Sequence, residues 1–235
     1  MVSVLMQKSM SKQGGVIIKI GDKFEEDGLC YRVLSNGSLQ VLGFAPGTTK
    51  DIIRINDEVQ SHSVSSIGAN AFKDTTIKKV ILPNSVTLIE ENAFMNCTEL
   101  VRVVIKGNQL ITIKKHAFAG CAILQRIVSE RSANIFQSAF ADCVSMDVFL
   151  LYVKYLRENA FNGCSMLKEI DLDESCTLAK KSLHGSFIEK LCATDALSCT
   201  KDVLCHISQK DITIETSPNA SAMEFIHYGV CVRTR

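Results

Sequence analysis

An Ala-Phe pair recurs along this chain at a near-constant interval: Ala71-Phe72, Ala93-Phe94, Ala117-Phe118, Ala139-Phe140 and Ala160-Phe161, with Ser182-Leu183 as a degenerate sixth copy. The steps from Phe to Phe are 22, 24, 22, 21 and 22 residues. A unit this short cannot bury its own apolar residues, so a period of this size predicts coils stacked along one axis with a core shared between neighbours.

Further rows align with the pair. Ile67, Ile89, Ile113, Ile135, Leu156 and Leu178 precede each Phe position by five residues, and Thr75, Cys97, Cys121, Cys143, Cys164 and Ser186 follow it by three. Then come Ile77, Leu100, Leu124, Met146, Leu167 and Ile188, and after them Val80, Val103, Ile127, Phe149, Ile170 and Leu191. A last row reads Leu82, Ile105, Ser129, Leu151, Leu172 and Ala193, with Ser129 its one polar member. Alternation in Leu100–Ile105 predicts a short strand. The Phe-to-Cys spacing of three predicts one helical turn that points both side chains inward. A second extended stretch follows the Pro83-Asn84 turn signal.

The pattern Val-Thr-x-Ile-x-x-x-Ala-Phe-x-x-Cys-x-x-Leu, read here as Val86-Thr-Leu-Ile-Glu-Glu-Asn-Ala-Phe-Met-Asn-Cys-Thr-Glu-Leu100, resembles the BspA-like leucine-rich repeat over residues 61–195. The ends depart from it: Thr75 and Ser186 replace the Cys, and Leu183 replaces the Phe. The resemblance implies an α/β, right-handed leucine-rich-repeat solenoid of short parallel strands and one-turn helices, about six coils long. It also implies protein binding without catalysis, since bacterial BspA-like proteins are surface adhesins that bind extracellular matrix.

Residues 1–14 are expected to be a flexible leader, 15–60 an N-terminal β cap and 196–235 a C-terminal cap. Val16–Ile20 reads as a strand, and Ser35-Asn-Gly-Ser38 as the tip of a hairpin between Leu29–Leu34 and Leu39–Phe44, because Asn-Gly tolerates positive φ. Asp51–Ile55 then leads into the coils, while Asp211–Glu215 and His227–Val232 read as closing strands.

With 46% apolar residues, the 235-residue chain can bury a continuous core. A net charge of +1 argues against nucleic acid or an anionic membrane as partner, and no apolar run is long enough to cross a membrane. The N-terminal residues lack the pattern of a signal peptide, which predicts a cytoplasmic location, with unconventional export to the cell surface as the alternative. Four of the ten cysteines occupy the repeat position, and all ten are expected as free thiols; a disulfide among Cys192, Cys199, Cys205 and Cys231 is the competing reading. Cys199, Cys205, His206 and Cys231 match no common zinc spacing, and no Cys or His sits in a nucleophile motif. His116 takes the slot held elsewhere by Asn70, Asn92 and Asn159, so it is expected at a surface turn. No metal, cofactor or catalytic group is assigned.

Binding is expected on the outward side of the strands. The candidate face comprises Lys78, Lys79, Arg102, Val104, Lys106, Arg126, Val128, Val148, Leu150, Tyr152, Glu169, Asp171 and Asp173, and runs from basic through apolar to acidic. Such a face suits a protein partner of an intracellular scaffold; a surface adhesin is the alternative, and an enzyme with an unrecognised Cys/His site the remote one.

Overall fold

In the computed structural model, which describes residues 18–179, 181–193, 198–199, 213–216 and 231–234, two ladders of parallel strands run side by side along the whole stack. The first joins β3 (Leu39–Phe44), β6 (His62–Ile67), β8 (Leu88–Ile89) and β10 (Ile111–Ile113). It continues through the C-terminal halves of β11 (Arg126–Ile135), β12 (Val148–Leu156) and β13 (Glu169–Leu178) to β15 (Ser198–Cys199). The second joins β4 (Ile52–Arg54), β7 (Lys79–Leu82), β9 (Arg102–Ile105) and the N-terminal halves of β11 and β12. The N-terminal half of β13 then pairs with β14 (Lys190–Ala193), which is followed by β16 (Thr213–Thr216) and β17 (Cys231–Thr234). The result is a β-solenoid; β16 and β17 overlap the expected closing strands at residues 213–215 and 231–232, and the rest of those two segments lies outside the described residues.

The N-terminal segment forms the antiparallel set β1 (Lys23–Glu26), β2 (Leu29–Val33) and β3, closed over Ser35–Ser38, while β5 (Glu58–Val59) pairs with β6. At the tip, Asn36 Oδ1 accepts from the Ser38 amide at 3.0 Å, and the Leu34 amide donates to the Ser38 carbonyl at 2.8 Å. Of the expected strand Val16–Ile20, residues 16–17 lie outside the described residues and 18–20 are not a strand; the first strand among the described residues is β1, which the sequence analysis did not single out. The parallel ladders already begin at β3 and β4, inside the segment assigned to the cap.

The five repeat phenylalanines form one column. Ring centroids of Phe72–Phe94, Phe94–Phe118, Phe118–Phe140 and Phe140–Phe161 lie 5.3, 5.0, 5.3 and 5.5 Å apart, with planes within 13° of parallel. Phe44 closes the column edge-on at Phe72, and Phe149 lies edge-on against both Phe140 and Phe161. All five rings are fully buried. Beside them runs a thiol column, in which Cys97, Cys121, Cys143 and Cys164 donate to the carbonyls of Phe72, Phe94, Phe118 and Phe140 at 3.0–3.2 Å. Thr75, in the first such coil, instead donates from its hydroxyl to the carbonyl of Phe72 in its own coil at 2.7 Å.

The expected one-turn helices are absent among the described residues. Around each Phe the backbone alternates between bonds within its coil and bonds to the next one. The Ala93, Met95 and Cys97 amides reach back three residues, whereas those of Asn92, Phe94 and Asn96 donate to Lys115, Ala117 and Ala119 of the following coil. That alternation needs positive φ at two positions per coil. Asn70 and Asp74, Asn92 and Asn96, Ser138 and Asp142 supply them, and so do His116 with Gly120 and Asn159 with Gly163. Asn and Asp tolerate this region better than other side chains, so their recurrence has a conformational cause. At Gly120 the side-chain-free backbone is also required because a Cβ there would strike Asn96 Oδ1. A continuous helical turn would direct every amide along its own coil and leave none for its neighbour.

The fifth apolar row is interrupted. Between Val128 and Ser132 strand β11 carries extra residues relative to β12, and Val153 rather than Leu151 pairs with Leu172. The extra segment contains Arg131, whose side chain is completely buried. Its guanidinium donates to the Val86 carbonyl at 2.6 Å, to the carbonyls of Pro83 and Asn84, and to Asn84 Oδ1. Burial lowers its pKa, while the Asp57 carboxylate opposes that shift. Asp57 in turn accepts from the Ser85 amide at 3.1 Å, so the 83–86 turn is held from two sides.

Two stability predictions follow from the column and the clamp. Phe118→Ala removes a ring stacked on both faces and should cost about 3–5 kcal/mol, with Phe118→Leu costing roughly 1 kcal/mol, read from urea midpoints at unchanged slope. Arg131→Met should cost about 2–3 kcal/mol because it has no donor for the buried carbonyls, and Arg131→Lys about 1–2 kcal/mol because one ammonium nitrogen cannot stand where both guanidinium nitrogens do. If Arg131→Lys is as stable as wild type in thermal unfolding, the forked guanidinium does not hold the turn.

Candidate protein-binding face

The registers of the second ladder sort its outward side chains into columns. Ile52, Lys79, Arg102, Arg126 and Val148 are successive partners across β4, β7, β9, β11 and β12. Two residues further along each strand, Arg54, Ile81, Val104, Val128 and Leu150 form a second column. Seven of the thirteen candidate residues, Lys79, Arg102, Arg126, Val148, Val104, Val128 and Leu150, therefore fall into these two columns, in an arrangement the sequence analysis did not foresee. The apolar side chains make a lengthwise stripe beside a ladder of three cations, in place of a central patch with charges at either end.

The stripe becomes more exposed along its length. Ile81 is buried, Val104 and Val128 are half-buried, and Leu150 is 46% exposed, with Tyr152 at 47% next to it on β12. Lys79, Arg102 and Arg126 have no carboxylate within 4.0 Å among the described residues. Lys78 behaves differently: it precedes β7 and is held by Asp51 at 2.8 Å, with Glu99 at 4.0 Å. Lys106 follows β9 and is exposed.

The acidic end is a bonded network. Glu169 and Asp171 pair across the sheet with Lys190 and Cys192. Lys190 bridges to Glu169 at 3.2 Å and Lys168 to Glu189 at 2.7 Å, while Asp173 accepts from the Ser132 hydroxyl. The Cys192 thiol donates to Glu169 Oε1 at 3.0 Å, and burial together with that carboxylate pushes its pKa up to about 12. A thiol so raised is protonated at neutral pH and is a poor nucleophile. The ligand atoms of Glu169, Asp171 and Cys192 lie within 4.8 Å of one another, a grouping that the thiol hydrogen bond and the Lys190 bridge account for.

Four further apolar side chains were missed by the sequence analysis. Ile123, Val144, Met166 and Phe187 occupy successive coils just after the Cys position, with exposures of 42, 42, 56 and 39%. Their counterparts in the preceding coil are Thr98 and Glu99. They form a ridge at the corner between the Phe turns and the second ladder. The comparison of Thr98-Glu99 with Ala122-Ile123 and Ser165-Met166 could have revealed it, but attention to the buried rows hid a shift at an exposed one. His116 lies in the turn with φ of 55°, and burial lowers its pKa. The seven described cysteines carry free thiols; Cys199, Cys205, His206 and Cys231, weighed above for zinc or a disulfide, have no described side chains.

The BspA type leucine rich repeat region matches residues 65–189 in six copies, which is more than half of the 235 residues. Among solved structures, a leucine-rich repeat protein from Bacteroides capillosus is 23% identical over 55% of this chain and 97% of its own, with a TM-score of 0.44. The Treponema pallidum leucine rich repeat protein is 15% identical over 73% of this chain and 71% of its own, with a TM-score of 0.49. One from Bacteroides ovatus is 18% identical over 90% and 67%, with a TM-score of 0.47. No curated protein matches this chain. The repeat rows, the stacked coils and the six matched copies together make this chain a member of the BspA-type leucine-rich repeat family.

Proposed function

We propose that the chain is a non-enzymatic module that binds a protein partner through the outward face of its second ladder. The observation that carries this reading is the increasingly exposed stripe of Val104, Val128 and Leu150 set beside Lys79, Arg102 and Arg126 on a parallel sheet. Apolar side chains left at the surface beside unpaired cations gain by being covered, and an extended flat sheet suits a macromolecular surface better than a small ligand. Families of this repeat are interaction folds, which agrees with this reading. No helix among the described residues is long and apolar enough to cross a membrane.

The proposed setting is the cytoplasm, as a scaffold. Support comes from the buried thiols, whose S–H groups serve as hydrogen-bond donors along the core, a role that a disulfide would abolish. Burial pushes the Cys143 thiol well above its ordinary pKa, which favours the donor form.

Affinity purification with the intact chain tests the face. Proteins retained by the wild type should be lost with the Leu150→Ala, Tyr152→Ala double variant and kept with Met166→Glu on the corner ridge. Unchanged retention by the double variant would discard the sheet face, and loss only with Met166→Glu would move the binding surface to the ridge. Immunofluorescence should label permeabilised cells and spare intact ones; labelling of intact cells would support the adhesin reading instead.

A further inference from the structure

The cation ladder beside the apolar stripe specifies what chemistry can cover it, given the reading of this sheet as the docking face. Lys79, Arg102 and Arg126 stand directly opposite one another on three adjacent strands. Strands in a sheet are about 4.8 Å apart, so neighbouring charges repel. Elsewhere on the same surface, Lys78, Lys168 and Lys190 are each neutralised by a carboxylate of this chain. The three cations of the ladder have no such partner among the described residues, and they border apolar side chains along the same three strands. Carboxylates brought by a partner would relieve the repulsion while its apolar groups cover the stripe.

Spacing narrows the partner further. Side chains on one stripe of an α-helix recur every three or four residues, a rise of about 4.5–6 Å, which brackets the strand spacing of about 4.8 Å. An extended segment laid along the same stripe repeats its side chains every ~6.6 Å or more and drifts out of step within a few strands. From β9 to β12 the exposed stripe covers two strand steps, about 10 Å, or roughly two turns of helix, and the cations carry the contact one strand further to β7. On β13 the cations give way to Glu169, already bridged to Lys190, and Asp171, so the ladder that would hold the partner's carboxylates ends before it.

We propose that the sheet face binds an acidic amphipathic helix of a partner protein, lying along the stack with its apolar stripe on Val104, Val128 and Leu150 and its carboxylates over Lys79, Arg102 and Arg126. A second copy of this chain is the competing occupant, since its Glu169, Asp171 and Asp173 could in principle supply the carboxylates.

The test uses the full chain and a fluorescent synthetic helix of about four turns, with Leu at i, i+3, i+7 and i+10 and Glu along one flank, alongside the same helix with Lys in place of Glu. Anisotropy should show the Glu helix binding at least about tenfold tighter than the Lys helix, with affinity falling as salt rises. Arg102→Glu with Arg126→Glu should remove that preference, and Val104→Asp should weaken the Glu helix about tenfold, both with wild-type circular dichroism. Equal binding of the two helices, or a preference that survives the charge reversal, overturns the proposal. Equally tight binding of poly-L-glutamate overturns the helical stripe. Sedimentation showing a dimer broken by the same charge reversal assigns the face to a second copy and likewise overturns it. If the Glu helix fails while the Leu150→Ala, Tyr152→Ala variant still loses the retained proteins, the acidic helix falls and the docking face stands.

Discussion

The five repeat phenyl rings, from Phe72 to Phe161, lie flat on one another from coil to coil, and the 5.0–5.5 Å spacing of that column matches the strand separation of a parallel sheet closely enough that rings and ladders share one repeat. The match lets the core, the thiol bonds to the Phe carbonyls and the turn-to-turn amide bonds all hold the same register. A coil one residue out of step would lose the ring contact and the backbone pairing together. The ends reflect this dependence. Phe44 covers the first ring edge-on, and Thr75, in the Cys slot, turns its hydroxyl back onto the Phe72 carbonyl of its own coil, which also accepts from Cys97. Terminal coils of a stack have a neighbour on one side alone, so their residues depart from the repeat.

The interruption at Arg131 shows how the stack accommodates irregularity. Extra residues in β11 displace the fifth apolar row, and the space is filled by a guanidinium that reaches the Pro83–Val86 turn. Its partners are mostly neutral carbonyls, so the side chain acts as a multipoint cap for turn acceptors that would otherwise be buried without donors. A buried charge of this kind contributes more to fixing the path of the turn than to net stability.

That surface arises from the same rule as the core. Stacking aligns identical positions of successive coils, so a one-residue preference repeated in each strand becomes a column. Inward, this produced rings and thiols. Outward, it produced three cations and an apolar stripe where the coils agree, and a bonded acidic network where β13 and β14 carry Glu169, Asp171 and Cys192. Ile123, Val144, Met166 and Phe187 add exposed apolar groups to the same loop of the later coils, alternately two and one residues after the Cys position.

The repeat period, the Phe and Cys rows and the outward positions of the strands were legible in the sequence, because burial repeats whenever chemically similar residues return at one spacing. The strand segments and the hairpin tip at Asn36-Gly37 were legible for local reasons. The backbone of the Phe turn was not. A spacing of three between Phe and Cys fits a helical turn in isolation; the choice of alternating bonds depends on the acceptors of the next coil, which only the stack supplies. The columns of Asn, Asp and Gly at positive φ were visible in the sequence but had no meaning until that pairing was known. Arg131 was hidden because its partners lie more than forty residues earlier in the chain, at Pro83, Asn84 and Val86. The sequence by itself determined that coils would stack and which side chains would face the axis, since each repeat carries that information. The tertiary structure decided how neighbouring turns are bonded, where a charge could be buried and which outward residues stand side by side, since those are properties of pairs of coils.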